Sequence, residues 1–176
     1  MSKLTPNIDT SRIAIQILNY KNIQTTIKLL ESLNSMTDSK FNIFILDNGS
    51  GDEIYNNFKK KLNFSNLNIK LLYSDKNIGF TAGHNLLSKY ILKMDFIFDY
   101  FLYLNSDCLL ENKFFNKLTA SNKLKGNVNY LFGFSTFTLS NFKYSHTFGF
   151  WNKYTGLSST KKYISPRLLR YGIYYP

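Results

Sequence analysis

The sequence contains one cysteine, Cys108, and two histidines, His84 and His146, among 176 residues. An internal disulfide bond is therefore impossible, and a structural zinc site of the usual four-ligand kind is excluded. Long apolar runs are also missing, because the longest, Phe96–Leu104, contains a carboxylate and is too short to cross a bilayer about 30 Å thick. Residues 1–10 are polar and have no apolar core of a signal peptide. These absences favour a chain that works in the reducing cytoplasm.

Acidic residues are missing from the last 65 residues, since Glu111 is the final one of the 11 in the chain. The net charge of +11 is therefore uneven, with +1 carried by residues 1–111 and +10 by the remainder. A basic, aromatic segment of this kind suits an anionic membrane, a phosphorylated substrate or nucleic acid, or it is simply a solvated surface. The sequence contains no RNA- or DNA-binding motif, so we expect no nucleic acid partner.

The overall composition, 44% hydrophobic and 19% charged, is that of a globular domain rather than a disordered chain. Phosphate-binding motifs of the common kinds are absent. The sequence has neither a Walker loop nor a Gly-x-Gly-x-x-Gly fingerprint, which argues against a phosphate-loop NTPase and a dinucleotide-dependent dehydrogenase.

Strand and helix periods alternate through the first two-thirds of the chain. Four apolar β-rich runs are separated by three segments whose apolar residues recur at helical spacing. The strands are predicted at Ile13–Leu18, Phe41–Leu46, Leu67–Tyr73 and Phe96–Leu104, and the helix faces at Ile23–Leu33, Ile54–Leu62 and Leu86–Met94. This order predicts an α/β fold with a mostly parallel sheet flanked by helices. Beyond Glu111 the pattern is weaker and predicts a short helix at Phe114–Leu118 and a strand at Tyr130–Leu139.

Polar clusters follow three of the predicted strands. They are Asn19-Tyr20, Asp47-Asn48-Gly49-Ser50 and Asn105-Ser106-Asp107. Right-handed crossovers bring the carboxyl ends of parallel strands to one edge of the sheet, where ligands of open α/β sheets bind. We therefore expect the three clusters to converge on a binding site.

Two of the clusters also have an ordinary structural interpretation. Asp107 follows a very apolar strand, and a carboxylate beside apolar surface calls for a cation or for hydrogen bonds; turn capping explains it as well. Asp47 and Asn48 suit a base or a ribose, but they equally suit a turn, in which Ser50 and Glu53 have the spacing of a capping box.

Two glycines, a histidine and the cysteine are further candidates for a functional role. The glycines of the Asn77–Asn85 segment permit a close backbone approach, and helix amides there suit a phosphate. His84, at a predicted helix start, is more typical of packing than of catalysis. Cys108 has no basic neighbour in sequence to activate it and is interpreted as a small buried apolar residue.

Four ordered motifs resemble those of family 2 glycosyltransferases, in particular the rhamnosyltransferase-like members with the glycosyltransferase A fold. They are Ile13–Tyr20, Ile43–Ser50, Asn77-Ile-Gly-Phe-Thr-Ala-Gly-His-Asn85 and Tyr103–Asp107. The resemblance covers about residues 11–120. It implies a nucleotide-sugar-binding domain over 11–120, preceded by a polar segment, 1–10, and followed by a basic aromatic continuation, 121–176.

The resemblance also implies roles by position. Asp107 stands at the end of the family's Asp-x-Asp motif, here Asn105-Ser106-Asp107, and would bind Mg²⁺ or Mn²⁺ together with the diphosphate of a UDP- or dTDP-linked sugar. The residues implied in donor binding are Asn19, Tyr20, Asp47, Asn48, Gly49, Asn77, Gly79, Phe80, Gly83, Asn85, Asn105 and Ser106. Asn105 replaces the first Asp of the motif and removes one charge from the metal site.

The implied chemistry is inverting transfer of the sugar to a glycan or lipid-linked acceptor, as in cell-envelope polysaccharide biosynthesis at the inner face of the membrane. In this family the catalytic base comes from an acidic motif well after the Asp-x-Asp position, and this sequence has no acidic residue after Glu111. No catalytic base is therefore assigned. The expectation is a truncated or split transferase, with a donor-binding remnant or a subunit completed by a partner chain as the alternative.

Overall fold

The computed structural model describes residues 9–36 and 40–119, and beyond them the strands 135–138, 143–146, 149–151, 158–160 and 172–175. The chain divides into two compact units, one of residues 8–108 and one that combines residues 1–7 with 109–176. The two units are described separately below.

A four-stranded parallel sheet forms the centre of the first unit. Its strands are β1 (Ile13–Asn19), β2 (Phe41–Asn48), β3 (Leu67–Ser74) and β4 (Tyr100–Asn105), in the spatial order β3-β2-β1-β4. All three pairings are parallel. Three helices alternate with the strands: α1 (Ile23–Asn34), α2 (Asp52–Lys61) and α3 (Phe80–Ile91). The parallel sheet predicted from the alternating periods is confirmed.

The helices lie on opposite faces of this sheet. The β1→β2 and β2→β3 connections run in one direction across it, whereas β3→β4 crosses back past β2 and β1. Because such crossovers are right-handed, α1 and α2 cover one face and α3 covers the other. The core under α3 brings together Ala14, Phe44, Leu46, Leu87 and Ile91.

The strand predicted to start at Phe96 begins only at Tyr100. Phe98 is instead turned inward, where its ring packs edge-on against Phe44 with the centroids 5.6 Å apart. Asp99 pairs with Arg12, with one Nε···Oδ2 distance of 2.5 Å and a second hydrogen bond of 2.6 Å. The prediction was wrong here because a short apolar run looks the same in sequence whether its residues lie in a strand or pack from a turn.

The capping box predicted at Ser50 and Glu53 was also wrong. Helix α2 begins at Asp52 with Gly51 as its N-cap, and no side chain caps it. The Ser50 hydroxyl accepts a hydrogen bond from the backbone N–H of Lys21 instead, at 2.8 Å. Ser50 and Glu53 have the spacing of a capping box, but Gly51 has a φ of 94° and takes the N-cap position, so the helix starts one residue later in the chain.

The second unit contains a mixed sheet of order β5-β10-β6-β7 and a separate hairpin. The strands are β5 (Leu109–Leu110), β6 (Ser135–Thr138), β7 (Lys143–His146), β8 (Gly149–Trp151), β9 (Ser158–Thr160) and β10 (Gly172–Tyr175). The predicted helix is present as α4 (Phe114–Thr119), where Lys117 forms an ion pair with Glu111. Of the predicted Tyr130–Leu139 strand, residues 135–138 are confirmed, and the others lie outside the described residues.

Among the helices that the structure describes, none has the length and apolar character needed to span a bilayer.

Gly49 and Gly51 provide a matched test of the turn between β2 and α2. Both have a positive φ, but a Cβ at Gly49 would lie 2.3 Å from Asn77 N, whereas a Cβ at Gly51 would meet nothing within 4 Å. Gly51→Ala should cost about 1–2 kcal/mol through backbone strain alone. Gly49→Ala adds a backbone clash and should cost about 3 kcal/mol or more. Urea unfolding followed by circular dichroism measures both, and equal losses would show that the clash at Gly49 relaxes.

Candidate functional site

The carboxyl ends of the four parallel strands form one edge of the first unit, called here the carboxyl edge. In register, Asn19 at the end of β1 lies opposite Asp47 of β2, and Leu18 lies opposite Asn105 of β4. The predicted convergence of the three polar clusters is confirmed. The direction of the crossovers reverses between β1 and β4, and open α/β sheets bind ligands at such a switch point.

Asn19 and Asp47 form the buried centre of this edge. The Asn19 amide donates to Asp47 Oδ2 at 2.8 Å, and the Ser50 N–H donates to Asp47 Oδ1 at 2.9 Å. The Asn19 carbonyl oxygen accepts from the Thr26 hydroxyl at 2.9 Å. A buried carboxylate needs such donors because it has lost its hydration. The resemblance implied that Asn19 and Asp47 contact the nucleoside. Both residues are 0% exposed, so in this structure they hold the edge together and present no surface to a ligand.

Asn48 fastens the β3–α3 loop to the end of β2. Its amide donates to Asn77 Oδ1 at 3.1 Å, and its carbonyl oxygen accepts from the Ile78 N–H at 3.0 Å. Asn77 Oδ1 also accepts from the Gly79 N–H at 2.9 Å. Asn48 is 4% exposed, and the backbone of Gly49 lies against that of Asn77. These contacts make Asn48 and Gly49 positioning residues for the start of α3.

Tyr20 is the exposed residue of the first cluster. The side chain is 45% exposed, and the Lys21 ammonium lies 5.2 Å from its ring centroid. Lys21 has a positive φ of 56°, and Ser50 accepts the hydrogen bond from its N–H. Because the Lys21 backbone is held in this way, the Tyr20 ring is presented at the carboxyl edge.

Helix α3 begins within the segment that the sequence analysis took for a binding loop. Its N-cap is Gly79, with no side-chain hydrogen bond to the first amides, and Phe80 is its first residue. Gly83 is not exposed to a ligand: a Cβ there would lie 2.9 Å from Leu18 Cδ1. The expected use of Gly83 for close approach to a ligand is therefore corrected, since its glycine lets α3 pack closely on the sheet. Asn85 is exposed.

His84 is buried between α3 and the sheet. Its Nδ1 lies 3.3 Å from Gln16 Oε1, and its ring packs edge-on against Phe80 and Tyr103, with centroids 4.5 and 5.0 Å away. Within the described residues, its Nε2 is buried without a hydrogen-bond partner. Burial lowers the pKa of His84 below its usual value of 6.5. The packing role expected for this residue matches these contacts.

The Asn105–Asp107 cluster lies directly after β4. Asn105 and Asp107 are exposed and Ser106 is half-buried. Because the Asp107 carboxylate is accessible to water, it does not need the cation or hydrogen bonds that apolar surroundings would call for. Cys108 is buried, and its Sγ donates to Asn105 O at 3.0 Å. Burial, reinforced by the charge of Asp107, raises the pKa of the Cys108 thiol to about 12, which makes it unreactive as predicted.

The donor set at Asp107 decides what kind of cation it suits. No group of three His, Cys, Asp or Glu residues lies together within the described part of the chain. A cation held by protein ligands alone does not fit this edge. Mg²⁺ commonly takes one or two carboxylates and completes its shell with phosphate oxygens and water, and one exposed carboxylate does fit that arrangement.

Comparison with known families gives one decisive match. The family model described as "Glycosyl transferase family 2" matches residues 14–168 of the chain. The chain belongs to this family. Its parallel sheet, flanked by helices on both faces, is the glycosyltransferase A arrangement that the sequence had suggested.

Comparisons of this family 2 chain with solved structures and curated sequences say less about its function. It is similar to a Staphylococcus aureus TarS fragment, residues 1–349 (20% identity, TM-score 0.49, covering 61% of this chain and 31% of that one). The same fragment in complex with UDP-GlcNAc is 19% identical with a TM-score of 0.49, and the match covers 61% of this chain and 30% of that one. TarS itself is 20% identical with a TM-score of 0.47, and the match covers 61% of this chain and 19% of that one. These scores are too low to support an inference about substrate. Comparison with curated protein sequences gave no match.

Two residues that lie next to the candidate site residues were not predicted from the sequence. Lys21 places an ammonium beside Tyr20, and Tyr103, 45% exposed on β4, lies against His84. Alternation along β4 could have indicated Tyr103, because it falls on the face opposite Leu102 and Leu104. Lys21 carried no signal, since one lysine in a turn is ordinary.

Removal of the Asn19 amide tests the buried centre of the edge. Asn19→Ala leaves the enclosed Asp47 with one donor fewer and should lower the free energy of unfolding by about 3 kcal/mol. Asn85→Ala, which truncates an exposed amide on α3, should change it by about 0.5 kcal/mol or less. Urea unfolding measures both, and a small loss for Asn19→Ala would mean that water replaces the amide.

His84 predicts a pH dependence of stability. A pKa lowered in the folded state gives stability that is fully present above the unfolded value near 6.5 and is lost as the pH falls below it. The titration of His84 alone cannot change the free energy of unfolding by more than about 1.4 kcal/mol per pH unit. Unfolding at pH 7.5 and 5.5 should show a smaller difference in His84→Gln than in wild type. His146→Gln, which alters the other histidine, is the control; an unchanged pH difference in His84→Gln would contradict the assignment.

Proposed function

We propose that the carboxyl edge of residues 8–108 binds a UDP- or dTDP-linked sugar with Mg²⁺ or Mn²⁺, for inverting transfer to a glycan or lipid-linked acceptor. The observation that carries this proposal is that exposed Tyr20 follows β1 and exposed Asp107 follows β4, the two neighbouring strands at the switch point of a family 2 domain. One residue offers an aromatic surface and the other a carboxylate, which are the groups that a nucleoside and a metal diphosphate require.

The nucleoside would lie against Tyr20. An exposed ring supplies a stacking surface for a planar base, and it costs little entropy to order because its backbone is already held. Asn19 and Asp47 support this surface from beneath through their mutual hydrogen bond. Asn48 and Gly49 act in the same indirect way, by setting the position of Asn77.

The diphosphate would lie between the start of α3 and the Asn105–Asp107 cluster. No side chain caps the first N–H groups of α3, and helix N-terminal amides favour anions. Phe80, 61% exposed, would border this region, with Gly79 before it in the turn and Asn85 in the next turn of the helix. Lys21 adds a positive charge at the same edge.

Asp107 would hold the metal, with the side chains of Asn105 and Ser106 beside it. A divalent ion bound there would stabilise charge on the leaving diphosphate. Asp107 would keep the ion at the edge, and Asn105 would offer a hydrogen bond to the ribose. Because the protein supplies one carboxylate, we expect the metal to bind weakly without the nucleotide.

Turnover by this chain alone is a separate question. The acceptor hydroxyl needs a base, and the last 65 residues contain no Asp or Glu. The second candidate function is therefore a donor-binding subunit that a partner chain completes. Sugar transfer by the purified chain would exclude this alternative, whereas donor binding without transfer would favour it.

Calorimetric titration tests donor binding. UDP and dTDP, free and sugar-linked, should bind in the presence of Mn²⁺ and lose at least about tenfold in affinity in EDTA, because a metal held by Asp107 would supply positive charge to the diphosphate. Asp107→Ala should cause a similar loss with Mn²⁺ present. Asp75→Ala removes another exposed carboxylate from the carboxyl edge, after β3, and should bind as wild type.

The contradicting results are distinct. Binding that is equal in wild type and Asp107→Ala would remove the proposed metal ligand while keeping a nucleotide site. Absence of binding by any of the four ligands would remove the donor site itself.

A further inference from the structure

The edge of the first unit opposite the donor site carries exposed apolar side chains that the proposed function does not use. They lie on the last turn of α3 and on the connection to β4, and together they are called here the apolar ridge. Its members are Tyr90 (40% exposed), Leu92 (73%), Phe96 (45%) and Ile97 (74%). Because α3 runs from the carboxyl edge to the amino ends of the strands, the ridge lies at the amino edge of the sheet.

The ridge is held on a fixed support. Met94 and Phe98, from the same connection, pack on the core under α3, and Phe96 lies edge-on to Phe98 at 4.8 Å. The connection ends where Asp99 is bound to Arg12 through its N–H, at 2.9 Å from Arg12 O, and through its carboxylate. The inward side chains of Met94 and Phe98 are therefore already partly buried, whereas Leu92 and Ile97 are exposed to water.

Positive charge surrounds these apolar groups. Lys89 and Lys93 are exposed on either side of Leu92 in sequence, and helix α2 ends at the same edge with Lys59, Lys60 and Lys61 in its last turn. Acidic residues at the amino edge are fewer: Glu31, in the last turn of α1, and Asp95 are exposed, and Asp99 is paired with Arg12. At the carboxyl edge, by contrast, α2 starts with Asp52 and Glu53.

We propose that the apolar ridge, flanked by Lys89 and Lys93, docks this domain on an anionic lipid bilayer. Aliphatic and aromatic side chains next to lysines are the combination that enters the headgroup region, where the apolar groups leave water and the ammonium groups meet anionic lipid. Lysine stems can also lie along the apolar surface while their charges reach the headgroups. The domain would then rest on its amino edge with the donor site turned towards solution.

Vesicle co-sedimentation tests this proposal. The full chain should sediment with phosphatidylcholine vesicles that contain phosphatidylglycerol, and more weakly with phosphatidylcholine alone. The double variant Leu92→Ser, Ile97→Ser should lose about tenfold in partitioning, because it removes the two most exposed aliphatic groups of the ridge. Both residues are at the surface, and circular dichroism checks the fold of the variant.

Phe80→Ser is the matched control, since Phe80 is 61% exposed but lies at the carboxyl edge. It should sediment like wild type, whereas the ridge variant should keep its nucleotide affinity. A failure of docking is thereby separated from a failure of the donor site. A second variant, Lys89→Gln with Lys93→Gln, should lose the preference for phosphatidylglycerol in part, and it changes no apolar group.

Two results would overturn the proposal. One is the absence of wild-type binding to phosphatidylglycerol vesicles at low salt. The other is equal binding by wild type and the Leu92→Ser, Ile97→Ser variant, which would assign membrane contact to the basic segment after Glu111 instead.

Discussion

The hydrogen bond between Asn19 and the enclosed Asp47 carboxylate is the constraint on which the carboxyl edge depends. It joins the ends of β1 and β2, and the Ser50 N–H completes the shell of the carboxylate. Ser50 in turn fixes the backbone of Lys21, which follows Tyr20. The exposed ring is therefore presented by a network of buried polar groups, and such networks rigidify a site when each member has its partners.

The first unit separates two kinds of surface by the direction of its strands. At the carboxyl edge, polar turns, helix amino ends and the exposed Asp107 and Tyr20 suit an anionic nucleotide held with a metal. At the amino edge, the carboxyl ends of α2 and α3 carry lysines, and exposed aliphatic groups follow α3. In α2, which has acidic residues in its first turn and lysines in its last turn, the helix dipole favours this division.

The fold was largely predictable, because the periods that distinguish strands from helices are local. The register of β1 against β2 was not, and it is the register that places Asn19 opposite Asp47. A sequence pattern shows that both residues are polar and close to a strand end, but it does not show that they bond to each other and are thereby enclosed. Gly83 illustrates the same limit: its need for glycine arises from Leu18, a residue of another element. Tyr20 and Asp107 are among the candidate site residues that remain accessible, and the roles proposed for them depend less on such contacts.

The most direct test of a nucleotide site at the carboxyl edge is a backbone amide chemical-shift map recorded during titration of UDP or dTDP with Mg²⁺. The account predicts that the largest changes fall on Tyr20, Phe80 and Asp107, while the amides of Leu92 and Ile97 stay unchanged. Changes centred on the amino edge, or no change with either nucleotide, would contradict it.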